Sequence, residues 1–516
     1  MADRIRIIAA FGMAALLGGC SLGSDYHRPD AGLPAAFRAT PAPSAASAGP
    51  AAWPARDWWR GFGSADLDQL IADAEANSFD ILAAAARVEQ ADAQVRISGA
   101  PLLPTVTGNG TGQWTRSGRS RGVATSTGSA VAAAAASGSS TPTTLLTGAT
   151  TPTGSSKRYA ETRTYNTDLQ FSYEIDVWGR LRAQQQSAET SALYSRYDQE
   201  AVAQTTITAV AITYFTALSY ADRLAVAERN LRDAEEILKA IRARVDAGIA
   251  SELDVSQQET LVAGLRASIP AFRSQYQQEV AALAILVGRP PEDITLLPGT
   301  LATIALPAVD SGLPSALLER RPDIAAAEAQ LIAANADIRS ARANLYPQFT
   351  LTGQGGLESG TLSSFFGPGT LLFQVAAGVA QTVFDNGLKG GQLDQRRGRY
   401  DELLADYRKA VVQSLTDVED ALVAYQYATE QEQLEQHAVD TAQRAADIAK
   451  AQVEAGTSDI VTALQAQNAL FSDLDTLAQV RLTRVNALVD LYKALGGGWT
   501  RSDTVEPPST IYHGVL

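Results

Sequence analysis

The sequence predicts a mainly α chain that also supplies strands to a membrane β-barrel, laid out as an internal tandem repeat. Three observations predict this. The chain resembles itself at fixed offsets, a sign of repeated architecture. Two proline-free stretches are long enough for helices of about 100 Å. Two further segments alternate apolar and polar residues with period two, which is the pattern of a strand with one apolar face.

The repeat is read from matched residues. An offset of 208 carries Val245, Ala247 and Gly248 onto Val453, Ala455 and Gly456, Gly179 onto Gly387, Leu283 onto Leu491, and Gly288 onto Gly496. Upstream, an offset of 243 carries Asp80 and Ile81 onto Asp323 and Ile324, Arg96 onto Arg339, and Pro104 onto Pro347. The offsets differ by 35, so the first copy holds 35 extra residues between Pro104 and Gly179. They fall in "SGRSRGVATSTGSAVAAAAASGSSTPTT", a Ser/Thr/Gly/Ala-rich stretch with little apolar surface to bury, expected to form a long loop over 117–160.

The strands come next. In "RTYNTDLQFSYEIDV", Tyr165, Leu169, Phe171, Tyr173, Ile175 and Val177 alternate with polar residues from Thr164 to Asp176. "TLLFQVAAGVAQTVFDN" repeats the pattern with Leu371, Phe373, Val375, Ala377, Val379 and Val383. Weaker strands start at the matched prolines, "PTVTGNGTGQW" and "PQFTLTGQGGL". An apolar outer face over a polar inner one is what a water-filled membrane barrel requires. Four strands cannot close one, and an open strand edge in lipid leaves backbone groups unsatisfied, so the chain is expected to oligomerise.

Long helices are expected over 179–245 and 388–453, with shorter ones near 65–100, 252–286, 323–344 and 459–495. Each long helix would pack against a stacked pair of short ones as a coiled coil. Gly248 and Gly456 then end the long helices, as C-terminal glycines do. Ser251 with Asp254 fits a capping box opening the next helix, and Ser458 or Asp459 fits a cap at the second turn. The two turns read as equivalent tips.

Composition narrows the function. The chain has 516 residues, a net charge of −14, 1 Cys and 3 His. One cysteine excludes a disulfide framework or a Cys-based metal site. Phosphate-binding loops and nucleophile elbows are absent from the sequence, so an enzyme is not expected, and the acidic balance argues against a nucleic-acid partner. At the N-terminus, Arg4 and Arg6 precede "IIAAFGMAALL", too short to span a bilayer and suited to a secretory signal. Beyond that run, no apolar stretch is expected to be long enough for a membrane helix. Leu17, Gly19 and Cys20 resemble a lipobox, which makes Cys20 the expected lipidation site and its covalent lipid the only attached group. The expected organisation is signal 1–19, lipid-anchored tether 20–60, first repeat 61–290, linker 291–316, second repeat 317–499 and tail 500–516.

"YHRP" after Cys20, "DWWRGFG" at 57–63, "LVGRP" at 286–290, "ERRPDI" at 319–324 and "LYKALGGGW" at 491–499 together resemble the TolC-like outer-membrane factors, in the lipoprotein branch serving RND-type multidrug efflux. The resemblance implies a homotrimer whose 4 strands per chain make a 12-stranded barrel, continued by a helical coiled-coil tunnel through the periplasm. It also implies a periplasmic adaptor and an inner-membrane RND-type transporter as partners, outer-membrane lipid around the barrel, and passive conduction once the tip opens. Family members carry a hydrophobic ring and, four residues on, an aspartate ring at the second tip. Aligned on Gly456, these positions are Val461 and Gln465, and an aspartate that some relatives carry next to the first is Thr462. Val461 is therefore the candidate constriction, with packing in the helix seam as the alternative. Gln465 lacks the family's charge, which Asp459 could restore unless it serves only as a cap. A protein-secretion duct of the same fold and a pore-less lipid-anchored coiled coil are the other readings to weigh.

Overall fold

The computed structural model describes residues 26–30, 32–34, 36–38, 54–118, 159–248, 250–307, 314–455, 457 and 460–501. Cys20, Gly456, Ser458, Asp459 and the body of the expanded loop lie outside the described residues. The chain forms two compact units. One comprises Met1–Ala100, Trp178–Tyr346 and Phe384–Leu516; the other comprises Pro101–Val177 and Pro347–Val383.

The first unit is helical. Its elements are α1 (Ala65–Asn77), α2 (Phe79–Gly99), α3 (Arg180–Asp246), α4 (Glu252–Val287), α5 (Pro322–Ala343), α6 (Leu388–Glu454) and α7 (Ile460–Ala494), with a one-turn helix at Leu317–Arg320. The duplication is visible in the boundaries. Helices α3 and α6 each run 67 residues, and both their first and last residues match at the 208 offset. Each begins after a glycine in the left-handed region, Gly179 at φ 75 and Gly387 at φ 85. Helices α4 and α7 also start at matched residues, as do α2 and α5 at the offset of 243.

The helix expected over 65–100 is in fact two, broken at Ser78, whose ψ of 125 leaves the helical region. Its counterpart in the second copy is Arg321, held extended (φ −111, ψ 122) because it precedes Pro322. Ser64 caps α1 by accepting a hydrogen bond from the Leu67 N–H.

The main core gathers one face of several helices. Trp58, Phe62, Leu67, Ile71, Phe215, Leu283 and Leu488 are buried together, and the Trp58 ring stacks on Tyr492 at 4.9 Å. One window of α3 is as apolar as a membrane span, with mean hydropathy 1.4, contrary to the expectation of none. Its residues Ile207, Val210, Phe215 and Leu218 belong to this core, which accounts for the apolar run without a membrane.

Two expected connectors are more than connectors. Within 20–60, Trp58 and Trp59 are buried in a 3-10 turn (Trp58–Phe62), and Phe37 is buried among Leu317, Val418 and Leu491. The described part of the tether is a docked strap, because its Arg and aromatic side chains find partners that Pro/Ala content alone does not reveal. Within 291–316, Ile294 and Leu301 are buried in the main core, and the Ala305 N–H donates to the Phe62 carbonyl.

The second unit is an antiparallel sheet in the order β1-β2-β3-β4: β1 (Thr105–Gly118), β2 (Tyr159–Ile175), β3 (Gln348–Ser359) and β4 (Leu371–Ala380). The segments after Pro104 and Pro347 are full strands. Residues 117, 118, 159 and 160, expected in the loop, belong to β1 and β2. Two strands stop earlier than their alternation suggests. Strand β2 ends at Ile175, leaving out Val177; β4 ends at Ala380, leaving out Val383. The last β3–β4 pair is Gln348 with Ala380, beside Pro347, whose nitrogen carries no hydrogen for the ladder.

Candidate functional site

The sheet register decides which residues share a face. Val106 pairs with Phe171, Phe171 with Gly353, and Gly353 with Val375, so all four stand on one side. The same side carries Leu169, Tyr173, Leu351, Leu371, Phe373 and Val379. Phe373 is 81% exposed and Leu371 75%, a large apolar area that the single chain leaves uncovered. On the other side lie Thr107, Asn109, Thr111, Asn166, Gln170, Thr352, Gln354 and Gln374. Leu372 is the one large apolar side chain among the described strand residues there, beside the small Ala376 and Ala380. The alternation of each strand thus adds up to one apolar and one polar face. Strands β1 and β4 end the sheet, so each has one ladder edge open.

The first helical tip is built as its residues suggest. Gly248 adopts φ 75, and its N–H donates to the Val245 carbonyl at 2.8 Å. The Ser251 hydroxyl accepts from the Asp254 N–H at 3.3 Å, and the Asp254 carboxylate accepts from the Ser251 N–H at 3.0 Å, a reciprocal cap opening α4. At the second tip, the Thr457 N–H donates to the Gln452 carbonyl at 2.9 Å.

Behind the tips, Ala234, Leu238, Ile241, Val255, Val262 and Ile460 form one apolar seam. Val461 is half-buried against it, whereas Thr462 and Gln465 are exposed. The gate candidates are therefore split: Val461 faces the seam inside the protomer, while Gln465 is free to face a partner or solvent. Two side chains that patterning does not flag hold this region. Gln258 is fully buried and donates to the Ala234 carbonyl at 2.7 Å. Arg244 of the first tip donates to the Val453 carbonyl at 2.7 Å, close to the C-terminus of α6, where a positive charge is favoured.

The sequence motifs converge on one cluster in the helical unit. Glu328 on α5, its side chain only 5% exposed, accepts from Arg28 Nε and Nη2 at 2.8 Å each and from Arg501 Nη1 at 2.7 Å. Arg28 also reaches Glu319 at 2.5 Å, and the Arg501 N–H donates to the Glu319 carbonyl. Arg321 spans Asp323 at 2.6 Å and Asp417 at 3.0 Å. "YHRP", "ERRPDI" and the residues after "ALGGGW" are thus parts of one clamp that fastens both terminal straps to α5. Burial alone would raise the Glu328 pKa, but the hydrogen bonds from Arg28 and Arg501 outweigh it and hold the carboxyl below its ordinary range. Glu328 itself carries no periodic signal; an acidic residue among the alanines of α5 was the only hint.

Comparison with known proteins agrees with this architecture. The family described as outer membrane efflux protein matches residues 70–289 and 313–497. The pyoverdine export outer membrane protein OpmQ of Pseudomonas putida is 35% identical over 448 residues, covering 87% of this chain and 89% of that protein. The toluene efflux pump outer membrane protein TtgC of Pseudomonas putida is 32% identical over 490 residues, 94% of each chain. Among solved structures, a membrane protein from Pseudomonas aeruginosa superposes with a TM-score of 0.80 at 27% identity, covering 94% of this chain and 99% of that one. The open-state MtrE outer membrane channel of Neisseria gonorrhoeae gives 0.78 at 26% identity, covering 94% and 100%.

Proposed function

The chain belongs to the outer membrane efflux protein family, and from that premise we propose that it is the exit duct of a tripartite pump, a homotrimer fed by a periplasmic adaptor and an RND-type inner-membrane transporter. It is an outer-membrane channel that carries solutes out of the periplasm. The observation that supports the assembly is the register of the sheet. Four strands with a common apolar face, a common polar face and two open edges need further strands to satisfy β1 and β4. Three copies give a 12-stranded closed barrel with lipid outside and water inside.

Transport here is positioning and electrostatics, with no bond made or broken by the protein. The helical coils provide the tunnel and the tips its resting closure; the adaptor engages the turns around Gly248, Ser251 and Asp254 and their second-copy equivalents. Cys20 carries the lipid that tethers the N-terminus to the outer membrane. Relatives named for pyoverdine and toluene favour small-molecule cargo over a secreted protein. Deletion of the gene, complemented by the chain together with its cognate adaptor and transporter, should restore export of a small-molecule substrate. Restoration of protein secretion by an ABC-fed system instead would overturn the assignment.

A further inference from the structure

The register sorts the charged side chains of the described strands by face. On the polar face stand Asp168, Glu174 and Glu358, with no Lys or Arg among the described strand residues of that face. Arg116 and Arg163 fall on the opposite face, where Arg116 pairs with Glu161 at 3.6 Å. Two of the carboxylates are grouped. Glu358 pairs across the ladder with Asn166, and Asp168, two residues along β2, pairs with Gly356. They are diagonal neighbours on one face, a relationship of about 7–8 Å between backbones. Gly356 makes the space, since a Cβ there would stand 2.7 Å from the Asp168 Cβ. Asp168 is 8% exposed, and Glu358 is exposed. At the second tip the position where the family carries its aspartate is Gln465, exposed and neutral.

We propose that charge selection in this channel is made in the sheet, by Asp168 and Glu358 on its polar face, instead of at the helical tip, and that it favours cationic over anionic solutes. The proposal rests on the reading that the polar face lines the conducting lumen of a trimer. Three copies then place six carboxylates at one level of a pore whose apolar surroundings focus their field. Such a lumen concentrates cations and depletes anions. The cargo it favours is a small molecule bearing net positive charge. Glu174 adds charge of the same sign nearer the strand end.

The test is the reversal potential of the purified full-length trimer in planar bilayers under a KCl gradient. The wild type should be cation-selective. Replacing both groups, Asp168→Asn with Glu358→Gln, should lower the cation-to-anion permeability ratio at least about twofold in 0.1 M salt, and less in 1 M salt, where the Debye length shrinks from about 10 Å to about 3 Å. Glu358→Lys, a change at an exposed position that leaves Asp168 in place, should move the ratio toward anions, while Glu358→Asp should keep it. A conducting trimer whose ratio is indifferent to the double replacement or to Glu358→Lys, or a wild type without cation preference, overturns this proposal and leaves the channel intact as a reading. Absence of any conductance from folded wild-type trimer would instead overturn the channel reading itself.

Discussion

Gly496 lies against the carbonyl oxygen of Arg320 so closely that a Cβ added to the glycine would overlap it. The same contact recurs in the first repeat, where a Cβ on Gly288 would overlap the Asn77 carbonyl oxygen. The glycines match at the offset of 208 and the carbonyls at 243, so the duplication conserved a packing contact as well as a helix pattern. Both glycines sit just beyond the inner end of a coiled-coil helix with positive φ, 92 and 69. Gly496→Ala and Gly288→Ala should therefore be severe, combining left-handed strain of about 1–3 kcal/mol with backbone displacement. Gly248→Ala has φ 75 but nothing within 4 Å of the added atom, so it should cost only about 1–2 kcal/mol. Thermal dissociation of the detergent-solubilised trimer would check the ranking; equal losses at all three sites would contradict it.

The clamp at Glu328 makes a prediction in acid. Its carboxyl titrates below the unfolded value in the folded chain, so its contribution is fully present above about pH 4.3, the ordinary glutamate pKa, and is lost as pH falls through the lower folded value. Glu328→Gln leaves Arg28 and Arg501 without their buried anion and should cost about 3–5 kcal/mol. It should also flatten the loss of stability on acidification. Unfolding midpoints measured from pH 7 down to pH 3 for both proteins would decide; parallel curves would show that the clamp does not titrate as described.

At the tip, Val461 and Gln465 should separate in their effects. Val461→Ala trims the apolar seam around Ile460 and Val255, so it should destabilise the tip by about 1 kcal/mol while leaving resting conductance and leak of large antibiotics little changed. Gln465→Asp places a carboxylate at an exposed position in each of three chains and should raise both cation selectivity and sensitivity to divalent cations. An intact trimer whose selectivity ignores Gln465→Asp would show that this side chain does not line the pore.

Lipidation is tested directly. Cys20→Ser should abolish incorporation of labelled palmitate, and because the chain has 1 Cys, no second thiol can take over. Persistent labelling would refute the lipoprotein assignment.

The long elements were legible from pattern and length: α3 and α6 as matched proline-free stretches, β2 and β4 through period-two alternation, which Leu372 interrupts in β4. The cap at Ser251 and Asp254 was legible because its geometry is local, three residues apart. What escaped depends on contacts between residues far apart in sequence. Phe37 reads as tether because its neighbours are Pro and Ala, and Trp58 falls at the end of the same expected tether, yet their packing partners, Val418 and Tyr492, lie hundreds of residues away. Glu328 and Arg28 pair across 300 positions, which neither motif discloses alone. The seam placement of Val461 likewise follows from how α3, α4 and α7 meet, which a family alignment of single positions does not contain.

In the assembled barrel one face of the sheet meets lipid and the other meets water. Single cysteines at alternating positions of β2 and β4, reacted in intact outer membranes with a membrane-impermeant maleimide, test it most directly. Gln170→Cys and Gln374→Cys should label, while Leu169→Cys, Phe373→Cys and Val375→Cys should be protected until detergent is added. Equal labelling at neighbouring positions, or protection on the Gln170 face, would contradict a lipid-embedded barrel with a water-filled lumen.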